Sequence, residues 1–546
     1  MASDYASISQ QNTVNYGKKI RKLGDALLSK LYSDRSHFIY ELLQNAEDAL
    51  SRRTRKQPGV AIPGVVEFRL YQDRLEFRHF GIAFGEEDVQ GICGILEGTK
   101  AEDLTQIGRF GIGFKSVYAY TSSPEIHSGD EHFVIRDYVH PSAVAATELM
   151  EDETLLILPF DSRDISAAKA FEEIAQRLKR LDPHTLLFLR HIESICWICN
   201  DNEKGEYSRK TTALRKESKK VALTTSQDDE VESWLVLNRP ISSAGAPDLR
   251  VEIAFKLERN AKNRSESIVP DDTSCLVVFF PTEKDTRLKF LVQGPYQTTP
   301  ARDNIPHDSE WNQFLVSETT LLLRDSLLTV KDLGLLSIQF LQTLPICAET
   351  SSIASIFDAF FEQTKKAFLE MKLIPSDKGG YLSAAEARIG RSSGLRNLLS
   401  SKQLTQLVKS ERALRWISGD ISQDKTPDLY SFLTQELEIS EVAPENFARL
   451  LTPEFLSNQT DEWLIHFYSF LLEQEALWRE KQTWLGPGIL RTKPIIRRSD
   501  GQSVVPFRED GLPLVYLSPN GRTSWHIFHT EIVRIGMQYI PIHVSQ

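Results

Sequence analysis

Apolar and polar positions alternate with two different periods along this chain, and the changes of period mark out its elements. Ile20, Leu23, Leu27, Leu28 and Leu31 recur at helical spacing and predict a helix over Tyr16–Leu31, after a polar arm at residues 1–15. A second helical run, free of Gly and Pro between Tyr32 and Leu50, carries Phe38, Leu42, Ala46 and Ala49 as one apolar stripe. Strand-like runs follow at Gly64–Tyr71 and Arg74–His79, then a helix from about Glu86, a glycine-rich stretch, and alternating strands to Phe160. A helix over Ile165–Leu181 closes this part. From Thr185 to Pro345 strands dominate, at Ser233–Asn238, Arg250–Leu257, Ser274–Phe280 and Leu288–Val292, ahead of a helix around Trp311–Leu327. The charged stretch Arg209–Lys220 reads as a solvated loop or ribbon. Residues 346–546 are mainly helical, with apolar spacing at Ala354–Met371 and Trp463–Trp478. Two apolar runs there end in Asp and Gly, at 373–381 and 493–501, and each predicts a β-hairpin.

On the second helix, Glu41 and Asn45 are four residues apart and Asp48 lies three further on, which places all three on one face. A carboxylate beside a carboxamide on a buried helix needs a polar partner, and a hydrated magnesium-phosphate group is one that fits. The same spacing also describes the solvated face of an ordinary amphipathic helix. Gly108, Gly111 and Gly113 form a G-x-x-G-x-G run just before the helix-compatible stretch Phe114–Tyr120. Glycines allow close backbone approach to an anion, and a helix start offers free N–H groups to phosphate. Arg109 and Lys115 add positive charge to that segment.

The order of these segments resembles the GHKL ATPase superfamily, which includes gyrase B, the ninety-kilodalton heat-shock chaperone, histidine kinases and MutL. Residues 41–49 match its helix motif E-x-x-x-N-A-x-D-A at every fixed position. The place of its D-x-G-x-G motif is taken by His79-Phe80-Gly81-Ile82-Ala83. Gly98-Thr99-Lys100 and then Gly108-Arg109-Phe110-Gly111-Ile112-Gly113-Phe114-Lys115 resemble the chaperone's phosphate-binding loop, and Thr154-Leu155-Leu156-Ile157-Leu158 its last strand, whose Thr helps bind adenine. The wording is most similar to the sacsin-type amino-terminal ATPase region. The resemblance implies an α+β protein: a Bergerat-type α/β sandwich, then an α/β transducer-like middle domain, then the helical region. It implies ATP and Mg²⁺ as ligands, with Asn45 as a metal ligand and Glu41 as the general base. It further implies that Asp48, His79, Gly81, Thr99, Lys100, the 108–115 loop and Thr154 contact nucleotide. Arg302, in Thr299-Pro300-Ala301-Arg302-Asp303-Asn304, resembles the basic residue that reaches the γ-phosphate from the middle domain; a surface pairing with Asp303 is the alternative. Where the family has Asp, His79 stands. A neutral imidazole still has one acceptor nitrogen for the adenine amino group.

By the same resemblance, ATP closes the lid, favours pairing of two copies, and drives a chaperone-like conformational switch acting on a client or partner protein. Two other uses remain open: a DNA-associated or antiviral-defence ATPase of the MutL or MORC kind, and a nucleotide-sensing scaffold with little turnover. Bulk composition changes this picture only at the margins. The 546 residues, 41% hydrophobic and 25% charged, fit about three globular domains, set at 1–184, 185–345 and 346–546. A net charge of −11 speaks against a general nucleic-acid surface. Met1-Ala2-Ser3-Asp4 does not open a signal peptide, and no apolar run approaches the roughly 20 residues that span a bilayer. Five cysteines fit a reducing cytosol, so a cytoplasmic protein is expected. Cys196 and Cys199 lie on a strand without a second pair and read as core residues rather than zinc ligands. The chain ends at Ile540-Pro541-Ile542-His543 in mid-pattern, as the front part of a longer protein would.

Overall fold

The computed structural model describes residues 2–16, 35–94, 113–215, 217–241, 249–260, 262, 264–273, 275–299, 304–306, 308–347, 356–478, 488–497, 502–509, 512 and 514. It divides into two compact units, one built from Met1–Leu335 with Thr343–Pro345 and Thr350–Phe360, the other from Leu336–Gln342, Ile346–Glu349 and Phe361–Gln546. The architecture is mixed α/β around one large mixed sheet.

In the first unit, helix α1 (Tyr5–Tyr16) precedes α2 (Phe38–Lys56), the helix of the Glu41 motif. Strands β1 (Val65–Leu70) and β2 (Arg74–His79) form a hairpin, α3 (Glu86–Cys93) follows, and β3 (Glu125–Ser128), β4 (Glu131–Arg136), β5 (His140–Ala143) and β6 (Thr154–Pro159) complete one flank. After α4 (Ala167–Lys179) come β7 (Ser194–Cys199), β8 (Glu203–Arg215), β9 (Ser218–Thr225), β10 (Asp228–Pro240) and β11 (Arg250–Arg259). Then β12 (Glu266–Val269), β13 (Cys275–Val278), β14 (Phe280–Asp285) and β15 (Leu291–Gln293) lead into α5 (Glu310–Asp332).

All fifteen strands belong to one sheet, ordered β14-β13-β15-β11-β10-β9-β8-β7-β1-β2-β6-β3-β4-β5, with β12 paired to β11. Most neighbours are antiparallel, but β1 and β7 run parallel from Val65↔Ser194 to Leu70↔Cys199. The chain therefore passes the division at 184/185 without a break in the sheet, and one apolar core runs from Phe38 and Leu42 through Ile195 and Trp197 to Trp234 and Leu291. Charged Arg209–Lys220 falls in the β8–β9 ribbon. On β7, Cys199 is buried and Cys196 half-buried, and both are free thiols.

The polar amino-terminal arm is in fact a helix, α1. Tyr5 and Ile8 are its buried apolar residues, with Tyr16 partly buried against the core, and its sequence carries almost no helical periodicity. Hydrogen bonds dock it instead: Tyr5 Oη donates to Glu131 at 2.5 Å, Ser3 Oγ to the same carboxylate at 2.6 Å, and Asn12 Nδ2 to the Val139 carbonyl at 2.7 Å. The stretch after the glycine run is a 3₁₀ turn, Gly113–Ala119, in which Ser116 Oγ donates to the Gly113 carbonyl. The helix expected at Tyr16–Leu31 lies outside the described residues.

The second unit contains both expected hairpins. Ile374–Pro375 pairs antiparallel with Tyr381–Leu382 across a turn that holds Gly379 and Gly380 at φ of 83° and 76°, values that favour glycine. Ile496–Arg497 pairs with Ser503–Val504. Helices cover Ala359–Glu370, Asp461–Leu472 and Glu475–Trp478. A small parallel sheet, Ala387–Gly390 between Arg415–Trp416 and Glu441–Val442, was not foreseen. Among the described residues no helix is long and apolar enough to cross a membrane.

Candidate functional site

Helix α2 buries Phe38, Leu42, Ala46 and Ala49, and this packing holds the polar face of the motif in register with the sheet. Glu41 is itself buried, at 7% exposure. One of its oxygens lies 3.4 Å from His37 Nε2, one helical turn earlier. The other abuts Gly113: a Cβ built on that glycine would stand 1.9 Å from Glu41 Oε2. The end of the glycine run is thus brought directly onto the motif carboxylate, and a side chain there would push that carboxylate aside. Asn45 is half-buried, and its carboxamide makes no hydrogen bond to a described residue.

A row of polar groups crosses the ends of three neighbouring strands. His79 on β2 stands opposite Thr154 on β6, which stands opposite Ser128 on β3. The Thr154 and Ser128 hydroxyls are 2.6 Å apart, and Ser128 Oγ accepts from the Phe84 N–H at 3.0 Å. Gly81 sits against α2, where a Cβ would come within 2.4 Å of the Ala49 methyl, and its N–H donates to His79 Nδ1 at 3.1 Å. Burial of the His79 ring, 3% exposed, pulls its pKa down to about 4, so it is neutral near pH 7. Its one acceptor nitrogen is occupied by Gly81. The acceptor expected to face an adenine amino group therefore already holds the Gly81 N–H.

Lys115 also differs from its expected place. Its ammonium is buried and donates to the carbonyls of Ile92 and Tyr138, each at 2.6 Å; burial lowers its pKa to about 8. The charge anchors α3 and the β4–β5 turn rather than facing open space. Phe114 is buried beside it. Asp48 lines a cavity of about 50 Å³ with Arg190, Arg250, Glu252 and Gln293. Nucleotide-sized ligands need several hundred Å³, so this cavity has room for one or two waters only. Thr99, Lys100, Gly108, Arg109, Phe110, Gly111, Ile112 and Arg302 lie outside the described residues.

Three contributors escaped the sequence reading. His37 stands one turn before Glu41, its Nε2 3.4 Å from one carboxylate oxygen, and the i,i−4 spacing was available as a signal. Ser128 completes the polar row but is marked by no motif. Glu47, at a variable position of the motif, accepts from the N–H groups of Arg190 at 2.6 Å, His191 at 3.0 Å and Ile192 at 2.9 Å. This three-amide cradle fixes α2 to the chain entering β7. On the same helix, Arg53 donates to the Phe80 carbonyl at 2.7 Å and pairs with Asp152 at 2.6 Å, which fixes the exit from β2.

Several known proteins are similar in sequence to this chain. A sacsin domain model matches residues 81–157. The chain is similar to Protein NO VEIN of Arabidopsis thaliana, 27% identical over 383 residues, which are 62% of this chain and 13% of that protein. It is similar to Chaperone protein HtpG of Methylobacterium nodulans, 31% identical over 133 residues, covering 21% of this chain and 22% of that one. Human sacsin is 33% identical over 123 residues, covering 21% of this chain and 3% of sacsin. The chain thus spans less than a quarter of the length of each of these relatives. Residues 81–157 thus match the sacsin domain model, and the similarity to HtpG and sacsin bears out the resemblance carried by the order of the motifs.

Proposed function

We propose that the first part of this chain is a Bergerat-type nucleotide site that binds and hydrolyses ATP, and that its nucleotide state switches the conformation of a chaperone-like protein. The observation that carries this reading is the contact of Glu41 with Gly113, which joins a buried carboxylate to the end of a phosphate-type glycine run. Glu41, with one oxygen beside His37 Nε2, takes the proton from the attacking water, a role typically worth about 10²–10⁴ in rate. Asn45 offers an unengaged carboxamide oxygen on the same face. Among the described residues no three His, Cys, Asp or Glu side chains converge as a metal cage. A lone Asn ligand suits magnesium, which keeps several waters and is bound largely through phosphate oxygens. Magnesium would neutralise phosphate charge there, and Asn45 would hold it from the protein side.

The transducer-like reading of residues 185–345 rests on their strand-rich half of the common sheet and on the wording around Arg302, which we assign as the γ-phosphate sensor. Lid closure, pairing of two copies and action on a client protein follow from the same resemblance. Replacing Glu41 with Ala is expected to keep nucleotide binding and abolish hydrolysis, while Arg302→Ala slows hydrolysis. Native mass with and without a non-hydrolysable ATP analogue tests the pairing. Equal turnover in Glu41→Ala and wild type sinks the proposal.

A further inference from the structure

His79 decides which hydrogen-bonding pattern the strand-end row offers to a nucleobase, and its proton can be located by elimination. The Gly81 N–H donates to Nδ1, so that nitrogen carries a lone pair and no hydrogen. The ring is almost wholly buried and pairs with no carboxylate among the described residues; its titration, pushed down by burial, agrees. A neutral imidazole has one N–H, and here it must be on Nε2. No described residue accepts from Nε2. Its strand neighbour Thr154 turns its hydroxyl to Ser128 instead.

A carboxylate at this position is an acceptor only, and it selects a base with an amino group. His79 presents the opposite polarity. An exocyclic amino group brought against the Nε2–H meets a donor with a donor, whereas a 6-oxo group meets it with an acceptor. Resting on the nucleotide-site reading above, we propose that His79 removes selection for adenine and admits 6-oxopurine nucleoside triphosphates, with guanine or hypoxanthine as base, at least as well as ATP. The phosphate-handling face of α2 is unaffected by this change, because His79 and Glu41 lie on different elements.

The test is calorimetric titration of the full chain with non-hydrolysable analogues of ATP, GTP and ITP. ITP isolates the 6-oxo group, since hypoxanthine lacks the 2-amino group of guanine. Wild type is expected to bind the GTP and ITP analogues no more weakly than the ATP analogue. His79→Asp is expected to turn the ratio toward ATP by about tenfold, the order for leaving one buried donor unpaired. A wild-type preference for ATP of tenfold or more over both others overturns the inference alone, and that measurement does not depend on the variant folding. A folded His79→Asp protein with an unchanged ratio overturns it as well. If the folded wild type binds none of the three, the nucleotide-site reading itself falls and takes the inference with it.

Discussion

Gly113 offers a test of the catalytic face that removes no polar group. In Gly113→Ala the new Cβ would stand 1.9 Å from Glu41 Oε2 and 2.8 Å from its Cδ. Carbon and oxygen that are not bonded come no closer than roughly 3.3 Å, so the carboxylate must retreat by about 1.4 Å. The obstacle is the far end of a flexible side chain, and the backbone of Gly113 is not in the left-handed region, so the cost to folding is modest, about 1–2 kcal/mol by comparison with overpacked cores. The cost to catalysis is larger. A misplacement of about 1 Å typically lowers a rate around 10²-fold, while nucleotide affinity is expected to change little. Steady-state ATPase assays, fluorescence titration with a labelled nucleotide and thermal melts separate these terms. Gly91→Ala is the control: it lies in α3 with nothing within 4 Å of an added Cβ, and should raise stability by about 0.4–1 kcal/mol with an unchanged kcat. A Gly113→Ala enzyme with wild-type kcat and wild-type affinity refutes the placement of Glu41 as the base.

Two further expectations concern stability. Glu47→Ala removes the acceptor for three consecutive amides, that of Ile192 buried and those of Arg190 and His191 half-buried, and should cost about 2 kcal/mol, read as a lowered urea midpoint; an unchanged midpoint means the cradle is not holding α2. His184 lies 2.9 Å from Asp182 and 3.2 Å from Glu232; burial alone would lower its pKa, but the two carboxylates raise it to about 10. Because the folded value exceeds the unfolded value near 6.5, the stabilisation is complete below about pH 6.5 and fades as pH rises through 10. Wild type should therefore lose stability between pH 7 and 10 more steeply than His184→Gln; parallel curves exclude a charged His184.

The legible parts of this chain were those whose stability comes from periodic burial. Helix α2 and strands β1 and β2 match their apolar patterns, since Leu42, Phe68 and Phe77 each pack into the common core. Helix α1 escaped because Glu131 and the Val139 carbonyl, distant in sequence, dock it by hydrogen bonds. The parallel strands Arg415–Trp416 and Glu441–Val442 are two residues each, too short to show a period of two. In the site, residue types and spacing brought Glu41 and Gly113 to attention, and the structure places them in contact. What spacing does not carry is direction: Lys115 turned inward to carbonyls, and His79 gave its lone pair to its own turn.

The cradle around Glu47 also bears on how force moves through the molecule. Glu47 is two residues from Asn45 on α2, and its amides at 190–192 open directly into β7, which is zipped to β1 over its whole length. The helix that would feel the phosphates is therefore welded to the first strand of the following half, with no slack between them. Such a joint is a lever arm rather than a hinge: a tilt of α2 would carry β7 with it.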